Sequence, residues 1–596
     1  MRIILGTTAI ACLAVSLTGA CGGKADATFD PTKDAGTDSG GASGSGGSTG
    51  GTGGTGGTGE TGGVGGSVTG GSGGTGAASG TGGSSTGGDG GAAGTAGSGG
   101  TGGSGASAGA AGAGGSGATG GSGGSGGSGV PSPNAGTEFW AVDLPNERYQ
   151  QGPVADPWAL LITNVGAANT TITIEQNNAP LGSPPSLATT ATVQLTPGEA
   201  RQLDMPTREV TGWTPSTADP PGPPMTHLSS TAFRIRSTQP IVIVQINNTS
   251  GFSTDASLLV PRNALGASYR VIGWPAANPT SPFPLESVPD HSNITVVGVE
   301  EDTQVSISVA GAVLGDGSTI DDTPANGTVT VSLGAFDVLN LASDGEPGDL
   351  SGSLVSASKP VAVFSSNERA MGPAAGTAGF PFPPGITPSD NCCTDHVEEQ
   401  LFPVSALGKH FVLPHSPWRS TGAFKEADLV RFVGGMTPAQ VTTNLPAPHA
   451  SFTLQPGMVR DAFTTGETRI EATSPILVAQ VLASAMATTR NVGDPSLTVI
   501  PPVDHHRERF TFLVPEGWAE AHVAVAAPAG TTLQLDGVAP SACDTAPIGA
   551  VGGIAFDAHR CPVSPGARTL VGSAPFGLIV YGYDTTGSFA YAAAGM

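Results

Sequence analysis

Short runs in which apolar and polar residues alternate dominate the chain from Gly136 to the C-terminus. Thr171–Ile174, Val305–Val309 and Thr328–Leu333 are examples, and none of them carries apolar residues at helical spacing. Gly, Pro, Asn or Asp residues interrupt the runs. A period of two predicts strands with one buried face, and the interruptions predict turns. The sequence therefore predicts an all-β body without long amphipathic helices.

A proline that opens an apolar run recurs along this body. It occurs at Pro240, Pro360, Pro475 and Pro575, with spacings of 120, 115 and 100 residues. Each run is apolar enough for a central strand that is buried on both faces. We place the proline at the first residue of that strand, where its missing N–H is least costly.

Two further markers accompany the proline runs. A strand that ends in a tight turn is predicted at Thr192–Gly198, Thr330–Gly334 and Phe452–Gly457. An apolar opener followed by glycine or an aromatic residue occurs at Leu259–Pro261, Leu401–Pro403 and Val499–Pro501. Since the markers recur in one order, they indicate an internal repeat.

The repeat predicts four modules, at residues 136–258, 259–400, 401–498 and 499–596. A module of this size with six or seven short strands fits an antiparallel β-sandwich. A β-propeller is the alternative, although propeller blades are shorter. The predicted fold class is therefore all-β, with tandem sandwich-like modules.

The N-terminus has the features of an export signal. Arg2 supplies a positive charge, Ile3–Leu17 is apolar, and small residues precede Cys21. This arrangement resembles the lipobox of bacterial lipoproteins, so residues 1–20 are predicted as a signal peptide and Cys21 as a lipid anchor. No aspartate follows Cys21 to indicate inner-membrane retention, which favours the outer membrane or cell surface. The alternative is an ordinary signal peptide that leaves Cys21 as a free thiol.

Residues 21–135 are predicted as a tether. Of the 94 glycines, 47 lie between Gly40 and Gly129, mixed with Ser, Thr and Ala. Such a segment has too little apolar surface to offset the entropy of ordering, so we expect disorder.

Charge excludes one class of partner. The chain has 23 Lys+Arg against 47 Asp+Glu and a net charge of -24. Without a positive field to attract phosphates, nucleic acid is not an expected partner.

Four cysteines remain in the exported body. Cys543 with Cys561 is the most natural disulfide, and Cys392 with Cys393 is expected as a vicinal pair. Four cysteines allow three pairings, so the sequence also allows cross-pairing between the two sets.

Two polar clusters are candidates for chemistry. Asp390–Glu399 is the densest set of metal-ligand residue types, and Asp504–Glu508 is similar. Because no second Cys/His pair lies at zinc spacing, we interpret the first as a stapled loop whose acids face water and the second as a solvated turn. The sequence contains no HExxH motif, no EF-hand calcium loop and no nucleophile elbow outside the Gly-rich segment, so no catalytic residue, metal or cofactor is predicted.

Asn391–Pro403 resembles the signature of the IgGFc-binding protein N-terminal domain family. Thr137–Trp140, Lys359–Ser365 and Val580–Tyr583 are weaker matches to the same family, whereas the tail Ser588–Tyr591 departs from its usual Ser-Tyr-Gly-Tyr ending. The resemblance covers roughly residues 136 to 596 and implies a secreted or surface protein.

These features together predict a cell-surface lipoprotein. An anchor, a tether and repeated β modules indicate a non-enzymatic binding or adhesion protein for an extracellular protein or glycan. One alternative is a surface polysaccharide hydrolase with an acid pair in a cleft. A structural envelope or matrix protein is the other.

Overall fold

The fold is described from a computed structural model of the chain. It describes residues 134–146, 157–213, 226–249, 253–278, 289–585 and 587–593. The predicted signal peptide, Cys21 and the predicted tether up to residue 133 lie outside these residues. Among the residues described, no helix has the length and apolar character needed to cross a membrane.

The first sheet uses residues from the start of the body. Its strands are β1 (Gly136–Ala141), β2 (Trp158–Asn164), β3 (Thr170–Asn177), β4 (Leu187–Leu195), β5 (Ala200–Met205), β7 (Phe233–Asn247) and β8 (Asp255–Leu258). A short strand between β5 and β7, β6 (His227–Ser229), belongs to the second sheet.

The second sheet has eight strands. With β6 it contains β9 (Gly266–Arg270), β10 (Ser292–Gly298), β11 (Thr303–Ser308), β12 (Thr328–Leu333), β13 (Val338–Ala342), β14 (Leu354–Ala370) and β15 (Asp395–Gln400). Strand β6 extends this sheet by pairing with β13.

The third and fourth sheets have seven strands each. The third contains β16 (Gly408–Leu413), β17 (Asp428–Gly434), β18 (Ala439–Thr443), β19 (Ser451–Leu454), β20 (Val459–Thr464), β21 (Thr468–Val481) and β22 (Leu497–Val499). The fourth contains β23 (Arg507–Val514), β24 (Glu520–Pro528), β25 (Leu533–Leu535), β26 (Asp544–Val551), β27 (Ile554–Pro562), β28 (Gly566–Tyr583) and β29 (Ser588–Ala592).

Short 3-10 helices occur only in connections within the part of the chain described. They are Arg262–Ala264, Pro388–Asp390, Val404–Ala406, Ala485–Ala487 and Val503–His505. All strand pairs within the four sheets are antiparallel. The predicted all-β fold of tandem antiparallel sheets is therefore confirmed.

A long strand forms the centre of each sheet: β7, β14, β21 or β28. The four repeated prolines lie inside these strands, so the prediction that they start a strand is wrong. In the first sheet, the register with β1 shifts between Arg236 and Ile241, and Pro240 has no ladder partner. A proline is tolerated there because no ladder hydrogen bond needs its missing N–H. The run behind it is buried, as predicted.

Neighbouring sheets share their hydrophobic cores. One core joins the first and second sheets, another the second and third, another the third and fourth, and another the fourth and first. The four sheets therefore close a ring. The module boundaries stay a prediction, because the cores formed by the described residues join neighbouring sheets.

Close contacts between a glycine and a proline side chain fix one repeat against the next. A Cβ atom placed on Gly266 would lie 2.5 Å from Cβ of Pro403, and one placed on Gly408 would lie 2.1 Å from Cβ of Pro502. Any larger residue at either glycine would push the adjoining connection away. This contact explains why a glycine follows the apolar opener in the repeat.

The last strand of each repeat lies at the centre of the ring. Strand β8 contacts β15 and β29, and β22 contacts the same two strands. We call β8, β15, β22 and β29 the inner strands.

Candidate functional site at the inner strands

Side chains, and not a backbone ladder, join β8 to β15. Three polar side chains in and just before β8 accept backbone N–H groups of β15. These hydrogen bonds run from His396 N to Ser253 Oγ (3.1 Å), from Glu398 N to Asp255 Oδ2 (3.2 Å) and from Gln400 N to Ser257 Oγ (2.6 Å). Both strands advance by two residues from one bond to the next, so they run parallel.

Asp255 contacts all four sheets. Its own strand belongs to the first sheet, and its carboxylate accepts the N–H of Glu398 from the second. From the third sheet it accepts Leu497 N (2.9 Å) and, from the residue before, Ser496 Oγ (2.6 Å). Ala590 N of the fourth sheet donates to it at 3.3 Å. One fully buried carboxylate therefore links the whole ring.

Two carboxylates of β15 act in the same way toward the other inner strands. Asp395 Oδ2 accepts Ser588 N at 3.1 Å. Glu399 accepts Val499 N at 2.9 Å on one oxygen and Ser257 Oγ at 3.2 Å on the other. These strands lack backbone partners on the side that faces β15, and the carboxylates supply the missing acceptors.

Burial dominates the electrostatics of this cluster. It raises the pKa of Asp255, Glu398 and Glu399 well above the usual range, and the charges of neighbouring carboxylates add to the effect on Asp255 and Glu399. Gln245 Nε2 lies 3.3 Å from both oxygens of Glu398. Nε2 of His396 also lies 3.3 Å from Glu398, but burial lowers the pKa of His396 to about 4. That histidine is therefore neutral at pH 7 and supplies no countercharge.

The interpretation that the acids of Asp390–Glu399 face water is wrong for most of the segment. Asp395 and Glu398 are 0% exposed and Glu399 is 4% exposed, whereas Asp390 is exposed. They are buried because the inner strands need acceptors in the interior of the ring. Two signals in the sequence point to this role: Ser-x-Asp-x-Ser at 253–257, and a strand whose polar residues do not alternate with apolar ones.

The second polar cluster also differs from its interpretation as a solvated turn. Asp504 is exposed, but His506 is buried against Gly577, where an added Cβ would lie 2.7 Å from its Nε2. Burial lowers the pKa of His506 to about 3. It packs as a neutral core side chain.

Both disulfides occur within the described residues. The sulfur atoms of Cys392 and Cys393 lie 2.05 Å apart, directly before β15, and those of Cys543 and Cys561 lie 2.01 Å apart at the base of the β26–β27 hairpin. Cys393 N donates to Asp494 Oδ1, in the connection between β21 and β22, at 3.4 Å. Cys392 and Cys393 are half-buried and lie just before the start of the inner strand β15.

The geometry indicates that the carboxylates have a structural role. Their oxygens accept backbone N–H groups, and their burial leaves no route for a substrate to reach them. Within the described part of the chain, no group of three or more His, Cys, Asp or Glu residues is placed to hold a metal ion.

The fold and the inner strands define a class: an all-β body in which buried carboxylates join a ring of antiparallel sheets. A family model described as IgGFc binding protein matches residues 255–582, more than half of the 596 residues. The chain therefore belongs to the IgGFc binding protein family. The match begins at Asp255, the residue that links the four sheets, and includes all of β15 and β22.

A human protein is also similar to this chain. The IgGFc-binding protein of Homo sapiens is 28% identical over 269 residues, which is 44% of this chain. The aligned part is only 4% of the human protein. The similarity therefore concerns one small segment of a far longer molecule.

Proposed function

We propose that this chain is a lipid-anchored binding protein of the cell surface, whose β body contacts an extracellular protein or glycan. Membership of the IgGFc binding protein family, over residues 255–582, carries the proposal. The human relative is named for binding IgG Fc. An immunoglobulin is therefore the first ligand to test, although the shared segment is a small part of that protein.

The chemistry of the inner strands supports binding over catalysis. A glycoside hydrolase needs two carboxyl groups on either side of an open cleft. The acids of the inner strands, Asp255, Glu398 and Glu399, are buried and already accept hydrogen bonds. These acids therefore give the hydrolase alternative no support.

The anchor is proposed from the sequence alone. Cys21 follows small residues in a lipobox-like arrangement, and about 110 residues rich in Gly, Ser, Thr and Ala separate it from the body. We propose that this segment acts as a flexible tether, which at that length would hold the body several nanometres from a membrane. This spacing suits a protein that meets partners outside the cell.

The test of binding is a titration of the purified full chain against IgG Fc, mucin and a glycan panel, with and without calcium. Serum albumin is the control protein. Saturable binding to one ligand supports the proposal. Absence of binding across the panel, together with self-association, favours the structural alternative, and turnover of a polysaccharide favours the hydrolase.

The test of the anchor compares the wild-type chain with Cys21→Ser in membrane and soluble fractions. We expect the wild-type chain in the membrane fraction and the variant in the soluble fraction. Mass spectrometry of the N-terminal peptide identifies the acyl chains. An unmodified Cys21 would rule out the anchor without affecting the proposal that the body binds a ligand.

A further inference from the structure

The two edges of the first sheet differ in charge, and so do those of the third. On one side, the edge strand β5 carries Arg201 and Asp204, β20 carries Arg460 and Asp461, and β6 covers β13. On the other side, β4, β12 and β19 contain no charged residue. Charges and added strands prevent unwanted pairing at sheet edges. The second set of edges lacks that protection.

Strand β12 is the most regular of the uncharged edges. Its six residues pair with β11 without a register shift. By contrast, the pairing of β4 shifts between Ile174 and Glu175, and β19 has four residues. Within the described part of the chain, the second sheet ends at β12 on this side. A strand of another molecule can therefore add there.

The hydrogen-bond pattern shows which residues of β12 face outward. Val309 N donates to Gly327 O at 3.1 Å, and the antiparallel pattern then alternates along the pair. On β11, Gln304 N points the other way, to Ser358 Oγ (2.9 Å), as this alternation requires. Thr328, Thr330 and Ser332 therefore direct both N–H and C=O away from β11. Their side chains are exposed.

Acidic residues lie near both ends of this neutral edge. Glu301 Oε1 accepts Ala335 N at 3.4 Å, just past the end of β12, and exposed Asp302 is its neighbour. Asp321 and Asp322, also exposed, lie in the segment that leads into β12. Two cations are close to the first of these groups: Lys359 Nζ donates to the main-chain oxygen of Glu301, and Arg262 pairs with the adjacent Glu300. The acids outnumber them, so the edge is neutral in the middle and negative around its ends.

We propose that β12 is the docking strand for an extended segment of the extracellular partner. The segment that fits is an uncharged strand of about six residues with Lys or Arg at both ends. Backbone hydrogen bonds to Thr328, Thr330 and Ser332 supply affinity, and the flanking acids select the cationic ends. This inference rests on the proposed function and names the chemistry of its protein ligand.

The test uses the full chain and a fluorescein-labelled peptide in which alternating Thr and Val fill six central positions between pairs of arginines. Fluorescence anisotropy measures its binding to wild-type chain, Thr330→Pro and the matched control Thr330→Ala. Proline removes an outward N–H without breaking a bond to β11, so folding is retained. Circular dichroism and thermal melting check this. If Thr330→Pro fails to fold, Thr330→Lys replaces it as the blocking variant.

We expect saturable binding to the wild-type chain that weakens about tenfold in Thr330→Pro and less than about twofold in Thr330→Ala. A peptide with glutamates in place of the arginines is expected to bind the wild-type chain more weakly than the arginine peptide does. Equal binding by wild-type chain and folded Thr330→Pro, or no binding at all, overturns the proposal. If the titration with IgG Fc, mucin or glycans is positive while Thr330→Pro has no effect on it, the proposed function stands and β12 is excluded.

Sedimentation velocity tests the alternative occupant, a second copy of this chain. We expect the wild-type chain to be as monomeric as Thr330→Pro, because two copies of this edge would bring their acidic ends together. Self-association that Thr330→Pro abolishes would assign β12 to contacts between copies and overturn docking of a foreign partner.

Discussion

Replacement of Asp255 tests whether one carboxylate holds the ring of sheets together. In the wild-type chain it accepts the backbone N–H groups of Glu398, Leu497 and Ala590, which belong to three different sheets. Asp255→Ala leaves all three donors in the interior without this acceptor. A buried donor without an acceptor costs about 1–3 kcal/mol.

Three such donors give an upper range of ~3–9 kcal/mol. Water that enters the space of the missing side chain satisfies part of this loss, so we expect a destabilisation of about 3–5 kcal/mol. Asp255→Asn keeps the volume and one acceptor oxygen and removes a buried titratable group. Its expected loss is less than half that of the alanine variant.

Urea unfolding followed by tryptophan fluorescence measures the free energy of unfolding, and hydrogen exchange reports the inner strands directly. Peptides that contain Leu497 and Ala590 are expected to exchange faster in Asp255→Ala, whereas those from β12 stay unchanged. Asp321→Ala, at an exposed acid, is the matched control. An alanine variant within about 1 kcal/mol of wild type, with unchanged exchange at β22 and β29, would refute the role assigned to Asp255.

Two further predictions concern charge. The raised pKa values of Asp255, Glu398 and Glu399 mean that the folded state binds protons more tightly than the unfolded state, so these groups are expected to add stability as the pH falls toward the ordinary pKa range of carboxyl groups. Each proton taken up on folding contributes about 1.4 kcal/mol per pH unit, and below about 6.5 buried His396 and His506 oppose the gain because unfolded histidine binds protons. Melting temperatures measured as the pH is lowered check the slope, and a flat profile in the wild-type chain, or an unchanged one in Asp255→Asn, would contradict it. Arg431 pairs with Asp461 and Asp349 across the second and third sheets at 2.8 Å and is 2% exposed, so Arg431→Ala is expected to cost about 3–5 kcal/mol in urea unfolding. The control Arg568→Ala, at the surface pair with Asp536, is expected to cost less than about 1 kcal/mol, and equal losses in the two variants would show that burial of the pair is unimportant.

The local pattern of apolar and polar residues was sufficient to predict individual strands. Alternation in Thr328–Leu333 predicts β12 with its observed bounds, and the run after Pro240 forms the buried half of β7. The resemblance carried by Asn391–Pro403 likewise agrees with the family that the chain belongs to. These properties depend on residues that are adjacent in the sequence, so they can be predicted without knowledge of the fold.

The position of Pro240 and the burial of the acids were decided by the tertiary structure. A proline inside a strand is acceptable only because the register shifts around it, and that shift depends on β1, about 100 residues away.

The residues next to Asp255 in the sequence likewise do not account for its burial. Its partners Glu398, Leu497 and Ala590 lie 143, 242 and 335 residues along the chain. The sequence by itself determined that the body is built from repeated antiparallel strands. Only the closed ring, which places four strand edges side by side away from water, determined that carboxylates must supply the acceptors those edges lack.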